Sequence, residues 1–382
     1  MSPKIPDAFK EHIDPETYRK GIKYQTERIH FGMFSTVFSS VIFLAFWFSG
    51  GFNFVDKTAI SLSENYIFRG LLFFGILGVA QTVISIPVSA YSTFVIEKKY
   101  GFNKTTLDTW IRDRIKGTIL SIVIGAPVLA FLIWFFTYLG NLAWIAAFAG
   151  ISFLSILLQI LAPILIMPLF NKFTPLEDGD LTEKIKELCI KAEFPYSGVY
   201  VVDGSKRSTK ANAFFTGFGK TRRIALYDTL LETLTHDEII GVLAHEIGHW
   251  QKKHLLRGIF SGLIQMAIMF YLMGIFLSKP GLFSAFRMEN ISVHAGMLLF
   301  TTLFTPLSTV SGILFNYFSR KHEYEADNAG KKLAGTGKHL AMGLIKLSVN
   351  NLSNLKPHPL NVFLHYSHPP VLERINNLIK DE

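Results

Sequence analysis

The 382-residue chain contains one cysteine, Cys189. That excludes an intramolecular disulfide framework and any metal site made of clustered thiolates. Charge is also scarce. Asp, Glu, Lys and Arg make up 18% of the residues, against about 25% in an ordinary soluble domain. Hydrophobic residues reach 49% and the mean hydropathy is +0.32, which excludes a disordered or low-complexity chain. Acidic residues are the rarer sign: 29 Asp+Glu face 38 Lys+Arg, a formal charge of +9. Such a balance points to an anionic partner, either nucleic acid or a membrane surface.

The charges are missing in blocks. Ile29–Val55, Gly70–Ile96, Gly117–Asn171, Gly258–Ser278 and Asn290–Ser319 contain no Asp, Glu, Lys or Arg. A membrane helix needs about 20 mostly apolar residues. The third block is long enough to cross twice, with Gly140-Asn141 as its turn, so six spans are expected. A buried core helix explains one such run but not all of them. The first run has no cleavable-signal layout and reads as an anchor. If the N-terminus is inside, segments 1–28, 97–116, 172–257 and 320–382 face the cytoplasm. They hold every Lys and Arg except Lys57, Arg69, Lys279 and Arg287. This bias predicts cytoplasmic termini and a cytoplasmic polar domain, on a bacterial inner membrane or the endoplasmic reticulum. It assigns the net charge to anionic lipid head groups and leaves no nucleic-acid partner. No charged residue lies mid-span, which argues against a channel or a non-enzymatic carrier. His294, near the start of its span, is expected at the interface. Pro127, Pro163, Pro168 and Pro306 predict kinks.

The first polar block, 172–257, carries a helical pattern over Leu181–Ala192 and a β-branched run at Val199–Val202. Ala211–Phe218 and Arg222–Tyr227 flank Gly219-Lys220-Thr221 and predict a β-hairpin. Thr235-His236-Asp237-Glu238 then matches a capping box before an apolar helix. That helix contains His245-Glu246-Ile247-Gly248-His249, an H-E-x-x-H motif. Four residues of helix put the two imidazoles about 40° apart on one face, able to reach one tetrahedral Zn²⁺. Glu246 is then placed to take a proton from the attacking water. The alternative is an amphipathic helix with solvated His and Glu. A catalytic zinc site needs a third protein ligand. The best candidate lies in Lys321-His322-Glu323-Tyr324-Glu325-Ala326-Asp327, directly after the last charge-free block. Glu323 and Asp327 share a helix face, and Glu325 points roughly 200° away from Glu323. Glu323 as ligand with Asp327 accepting from a ligand imidazole is one solution. His322 is a rival ligand, and a solvated charged turn competes evenly with both. His236, His254, His339, His358 and His365 read as surface or capping residues.

These features together resemble the CAAX prenyl protease 1 family of integral-membrane zinc metalloendopeptidases. Further segments carry the resemblance: Thr93-Phe94-Val95-Ile96-Glu97, Tyr100-Gly101-Phe102-Asn103, Phe173-Thr174-Pro175-Leu176, Gly204-Ser205-Lys206-Arg207-Ser208, Asn212-Ala213-Phe214-Phe215, Tyr227-Asp228-Thr229-Leu230-Leu231 and Tyr366-Ser367-His368-Pro369-Pro370. The resemblance implies one zinc held by His245, His249 and Glu323, with Glu246 as general base and Asp327 orienting a ligand His. It implies that Asn212 and His368 contact the substrate backbone or the oxyanion and that Arg374 helps to hold the peptide. From the residues alone, Asn212 is equally a turn-capping Asn, His368 a structural His before a Pro-Pro turn, and Arg374 a solvated helix residue.

The expected fold is mainly α: a polytopic bundle of six spans with a cytoplasmic zincin-like catalytic domain containing a small β-hairpin. Its segments are an N-terminal stretch 1–28, four spans within 29–171, a catalytic block 172–257, two spans within 258–319 and a C-terminal catalytic segment 320–382. The expected activity is hydrolysis of peptides, prenylated at a CAAX C-terminus, with membrane lipids as the other partner. A quality-control protease that needs no prenyl group is the alternative. Family members commonly have seven spans, and the extra one is expected to precede residue 1. The lack of an acidic insertion between Leu234 and His236, and of a retrieval signal in Lys380-Asp381-Glu382, leans towards a bacterial origin.

Overall fold

The structure, a computed structural model, describes residues 4–217 and 222–380. Helix α1 (Pro15–Phe48) starts at Asp14, whose carboxylate accepts the Glu16 and Thr17 amides at 2.9 and 2.8 Å, with Pro15 in the first position. The first charge-free run is not one continuous helix. Gly50 adopts φ +78°, and the chain restarts as α2 (Gly51–Leu62). Counting charges cannot see such a break, because a glycine turn carries no charge. Helix α3 (Tyr66–Tyr91) is capped by Asn65 and runs into a π-helical stretch, Ser92–Glu97. Then come α4 (Leu107–Tyr138), the turn at Gly140 with φ +53°, α5 (Ala143–Leu161), a second π-helical stretch at Ala162–Ile166, and the short α6 (Met167–Phe170). The Gly140 turn is where the sequence places it.

The next region alternates: β1 (Phe173–Pro175), α7 (Asp180–Lys191), β2 (Gly198–Val202), β3 (Ala213–Thr216), β4 (Arg223–Tyr227), α8 (Asp228–Thr233) and α9 (His236–Gln251). Two long helices follow, α10 (His254–Phe276) and α12 (Val293–Ala334), separated by the short α11 (Pro280–Ala285). The chain closes with α13 (Lys338–Asn350), α14 (Pro359–His365) and α15 (Val371–Ile379). Among the described residues, six helices are long and apolar enough to cross a membrane. Pro127 and Pro306 lie inside α4 and α12, and Pro163 and Pro168 lie in the second π-helical stretch and at the start of α6. Pro87, inside α3, is one more.

The sheet is larger than a hairpin. Its order is β1-β2-β4-β3, with β2 parallel to β4 and the other pairs antiparallel. The β3–β4 pair is the expected hairpin, and its turn Gly219-Lys220-Thr221 lies outside the described residues. β1 was not foreseen because three residues containing a proline give no alternating pattern.

Buried residues gather at the two ends of the bundle. At one end Phe52, Phe73, Ile133, Phe270, Phe283 and Phe300 join α2, α3, α4, α10, α11 and α12. At the other, Ile185, Ile224, Leu226, Ile239 and Leu243 pack the sheet against α7 and α9. Phe9 and Tyr18 seat the N-terminal segment on α13 and α15. On α12 the buried positions fall within 294–300 and 323–333, with none between.

His294 is not interfacial. It is buried and its Nε2 lies 2.8 Å from Asp56 Oδ1, with Ser292 and Asn290 on the same carboxylate. Asp56 lies far away in sequence, on α2, so the sequence around His294 gives no sign of it.

Candidate active site

Helix α9 begins with a complete capping box. Thr235 Oγ1 accepts the Glu238 amide at 3.4 Å and Glu238 Oε2 accepts the Thr235 amide at 2.8 Å. The box fixes the start of the helix that carries His245, Glu246 and His249. Helix α12 crosses it at very short range, which two glycines permit. A Cβ on Gly248 would sit 2.6 Å from the Ala326 carbonyl oxygen, and one on Gly330 would sit 2.8 Å from the His245 amide nitrogen. Close approach here needs the missing side chains. It brings Glu323 and Asp327, one turn apart on α12, against the two imidazoles.

His245 Nε2 and His249 Nε2 are 3.2 Å apart. Glu323 Oε1 is 3.2 Å from His249 Nε2, and Oε2 is 3.6 Å from His245 Nε2. The three ligand atoms lie within 4.8 Å of one another, and His245 and Glu323 are buried. Behind them Asp327 Oδ1 sits 2.8 Å from His245 Nδ1. A carboxylate only accepts there, so Nδ1 carries the proton and Nε2 presents a lone pair to the cluster. His322 does not join. Its ring stacks on that of His254, with centroids 4.1 Å apart, away from the cluster.

Arg374 is buried, not solvated. Its Nε and Nη2 grip Asp327 at 2.9 and 2.7 Å, and Nη1 lies 3.0 Å from Glu323 Oε2. Burial opposes its charge, but the Asp327 carboxylate outweighs this and holds its pKa above the usual guanidinium range. His249 shows the same balance. Burial disfavours the imidazolium, the Glu323 carboxylate more than offsets that, and the pKa rises. Burial also pushes the Cys189 thiol up to about 12, so the one cysteine is no nucleophile.

The cluster is fitted for a cation. Glu323 Oε2 is buried and accepts no hydrogen bond among the described residues, Arg374 Nη1 lying close but misaligned. A buried carboxylate oxygen that accepts no aligned hydrogen bond, beside two imidazoles, is better satisfied when a cation joins them.

An open cleft of about 400 Å³ lies over the cluster. Asn212, His245, Glu246, His249, Glu323, His368 and Arg374 all line it, with Leu230, Val242, Leu340 and Leu344 supplying apolar wall. His368 is exposed. Its Nε2 is 3.3 Å from Glu323 Oε1 and its Nδ1 is 2.9 Å from Ser367 Oγ. Asn212 directly precedes β3, the edge strand of the sheet. Its Oδ1 accepts the Ala213 amide at 2.9 Å, and the residue lines the cleft.

Sequence reasoning missed His254 and Glu325. His254 is buried, not a surface residue. Its Nδ1 is 2.9 Å from His249 Nδ1 and its Nε2 is 3.1 Å from Glu325 Oε2. Their separation in sequence hides the contact. The one local signal is that His254 continues the H-E-x-x-H segment, five residues after His249.

A bundle of membrane-length helices with this His–His–carboxylate cluster at one end, open to a cleft, is built as an integral-membrane metallopeptidase. Comparison with known proteins agrees. Residues 1–172 match the family described as CAAX prenyl protease N-terminal, five membrane helices, and residues 175–382 match peptidase family M48. The chain belongs to the M48 peptidase family. It is 37% identical to CAAX prenyl protease 1 of Saccharomyces cerevisiae over 98% of this chain and 88% of that protein. It is 31% identical to the human CAAX prenyl protease 1 homolog, over 98% of this chain and 88% of that one. The crystal structure of S. mikatae Ste24p superposes with a TM-score of 0.92 at 35% identity, covering 98% of this chain and 92% of that one.

Proposed function

We propose that the chain is a zinc metalloendopeptidase that cleaves CAAX-type, prenylated peptide C-termini at the cytoplasmic face of a membrane. The carrying observation is the convergence of His245, His249 and Glu323 ligand atoms from two helices. The names of the relatives support the substrate class, and the one-sided Lys and Arg bias supports the orientation. In this arrangement segments 1–28, 97–116, 172–257 and 320–382 form the cytoplasmic part. The blocks 29–171 and 258–319 supply the spans, and basic loops meet anionic lipid without a role for nucleic acid.

His245, His249 and Glu323 would hold the zinc, which would supply Lewis-acid chemistry and bring the ionisation of water near neutral pH. Glu246 lines the cleft beside the first ligand, takes a proton from the attacking water and passes it to the leaving amine. Asp327 holds the His245 tautomer, and Arg374 steadies the Asp327 and Glu323 carboxylates. The same guanidinium borders the cleft and is placed to help hold a peptide. An extended peptide lies along the free edge of β3, where main-chain hydrogen bonds are available, with Asn212 at the head of that edge. His368, at the open side, donates to the oxyanion that forms at the attacked carbonyl.

Glu246→Ala retains zinc and loses about 10²–10⁴-fold in hydrolysis of a farnesylated CAAX peptide. Full turnover in that variant would refute the assignment. His368→Ala lowers kcat by about 10²–10³ with a smaller change in KM. An equal rate on unlipidated peptides would replace the prenyl-specific reading with a general membrane protease.

A further inference from the structure

The two imidazoles of the cluster do not present their Nε2 atoms by the same means. His245 is held directly by Asp327. Among the described residues no carboxylate reaches the Nδ1 of His249. That atom meets His254 Nδ1 at 2.9 Å, with ring centroids 5.0 Å apart and the planes 74° apart. His254 Nε2 in turn meets Glu325 Oε2 at 3.1 Å, and Arg257 Nη1 lies 3.2 Å from the same oxygen.

We infer that Glu325 and His254 form a two-step relay that fixes the His249 tautomer, a positioning role for the proposed zinc site. The argument is a count of protons. A contact between two ring nitrogens holds one proton: two lone pairs repel and two N–H groups collide. Glu325 accepts, so a neutral His254 carries its proton on Nε2 and has a lone pair on Nδ1. His249 must then donate from Nδ1, which leaves its Nε2 free to bind a metal. Reversing the chain would place a proton on His249 Nε2 and remove it as a ligand.

The backbone builds this contact deliberately. Lys253 adopts the left-handed conformation, φ +57°, which side chains other than glycine rarely take. The sharp reversal ends α9 and starts α10 so that His254 folds back onto His249. His254 is itself buried, and the His322 ring stacked on it closes the other face. Glu325 is on the α12 side opposite Glu323, so one helix supplies the third ligand from one face and the far end of the relay from another.

The inference rests on zinc binding by His245, His249 and Glu323, and the test separates the two. Zinc affinity of the purified full-length protein in detergent is measured by chelator competition. Outer partners of metal-bound imidazoles are typically worth about 10–100-fold in affinity. His254→Leu, close in volume but unable to hydrogen-bond, weakens zinc about 100-fold, and Glu325→Leu about 10-fold. His254→Gln returns to within a few-fold of the parent, because its amide oxygen accepts from His249 while its amide N–H donates to Glu325. Should His254→Leu fail to fold, the Glu325→Leu and His254→Gln pair carries the test. Leucine variants that bind zinc like the parent, or a His254→Gln as weak as His254→Leu, overturn the relay and leave the ligand set standing. A parent that binds no zinc overturns both.

Discussion

The cluster end of the molecule and the middle of its helix bundle are made from the same helices and are built in opposite ways. Around α9 and α12, carboxylates, imidazoles and a guanidinium interlock while two glycines bring backbones nearly into contact. Midway along α12, residues 301–322 include no buried side chain, and Leu303, Val310 and Leu314 are exposed. Buried positions on α1, α3, α4 and α10 likewise sit near helix ends. Fixing a handful of reacting groups needs tight, mutually paired contacts. Spanning a bilayer needs only continuous apolar length, and the middle has little else.

This contrast can be broken by substitution. Asp327→Ala has the largest expected effect on stability. It leaves Arg374 buried with half its partners gone and His245 untethered, at a cost of about 3–5 kcal/mol, together with zinc loss. The thermal midpoint in detergent, read with zinc content, checks it. Gly330→Ala comes next. Its methyl group would meet the His245 amide at 2.8 Å, and the helices must part, costing about 1–3 kcal/mol. Activity falls with it because Glu323 moves away from the imidazoles. Leu314→Ala, mid-helix and exposed, changes stability by about 0.5 kcal/mol or less. If Leu314→Ala costs as much as Gly330→Ala, the middle is packed as tightly as the cluster and the contrast is wrong.

What the sequence discloses follows the same division. The spans are legible because a membrane demands long runs without charge, and a run can be counted. The cap at Thr235 and the His245–His249 pair are legible because both depend on spacing within one helix. Glu323, His322 and a solvated turn are indistinguishable by spacing. The likeness to a family favours Glu323, and the Gly248–Gly330 crossing places it beside the imidazoles. The contacts that escaped are those between distant segments: His254 with Glu325, and His294 with Asp56. Each residue looks like an ordinary surface histidine until its partner is brought alongside. The break at Gly50 escaped for a local reason, since the residues on both sides of it are apolar.

Helix α12 has 42 residues, roughly 63 Å at 1.5 Å each. Its first turn carries His294, locked to Asp56, and its far portion carries Glu323. One helix therefore joins the buried His294–Asp56 pair at one end of the bundle to the cleft at the other. Pro306 lies between the two, and the spacing of the His294–Asp56 pair and Glu323 is set along a single helix.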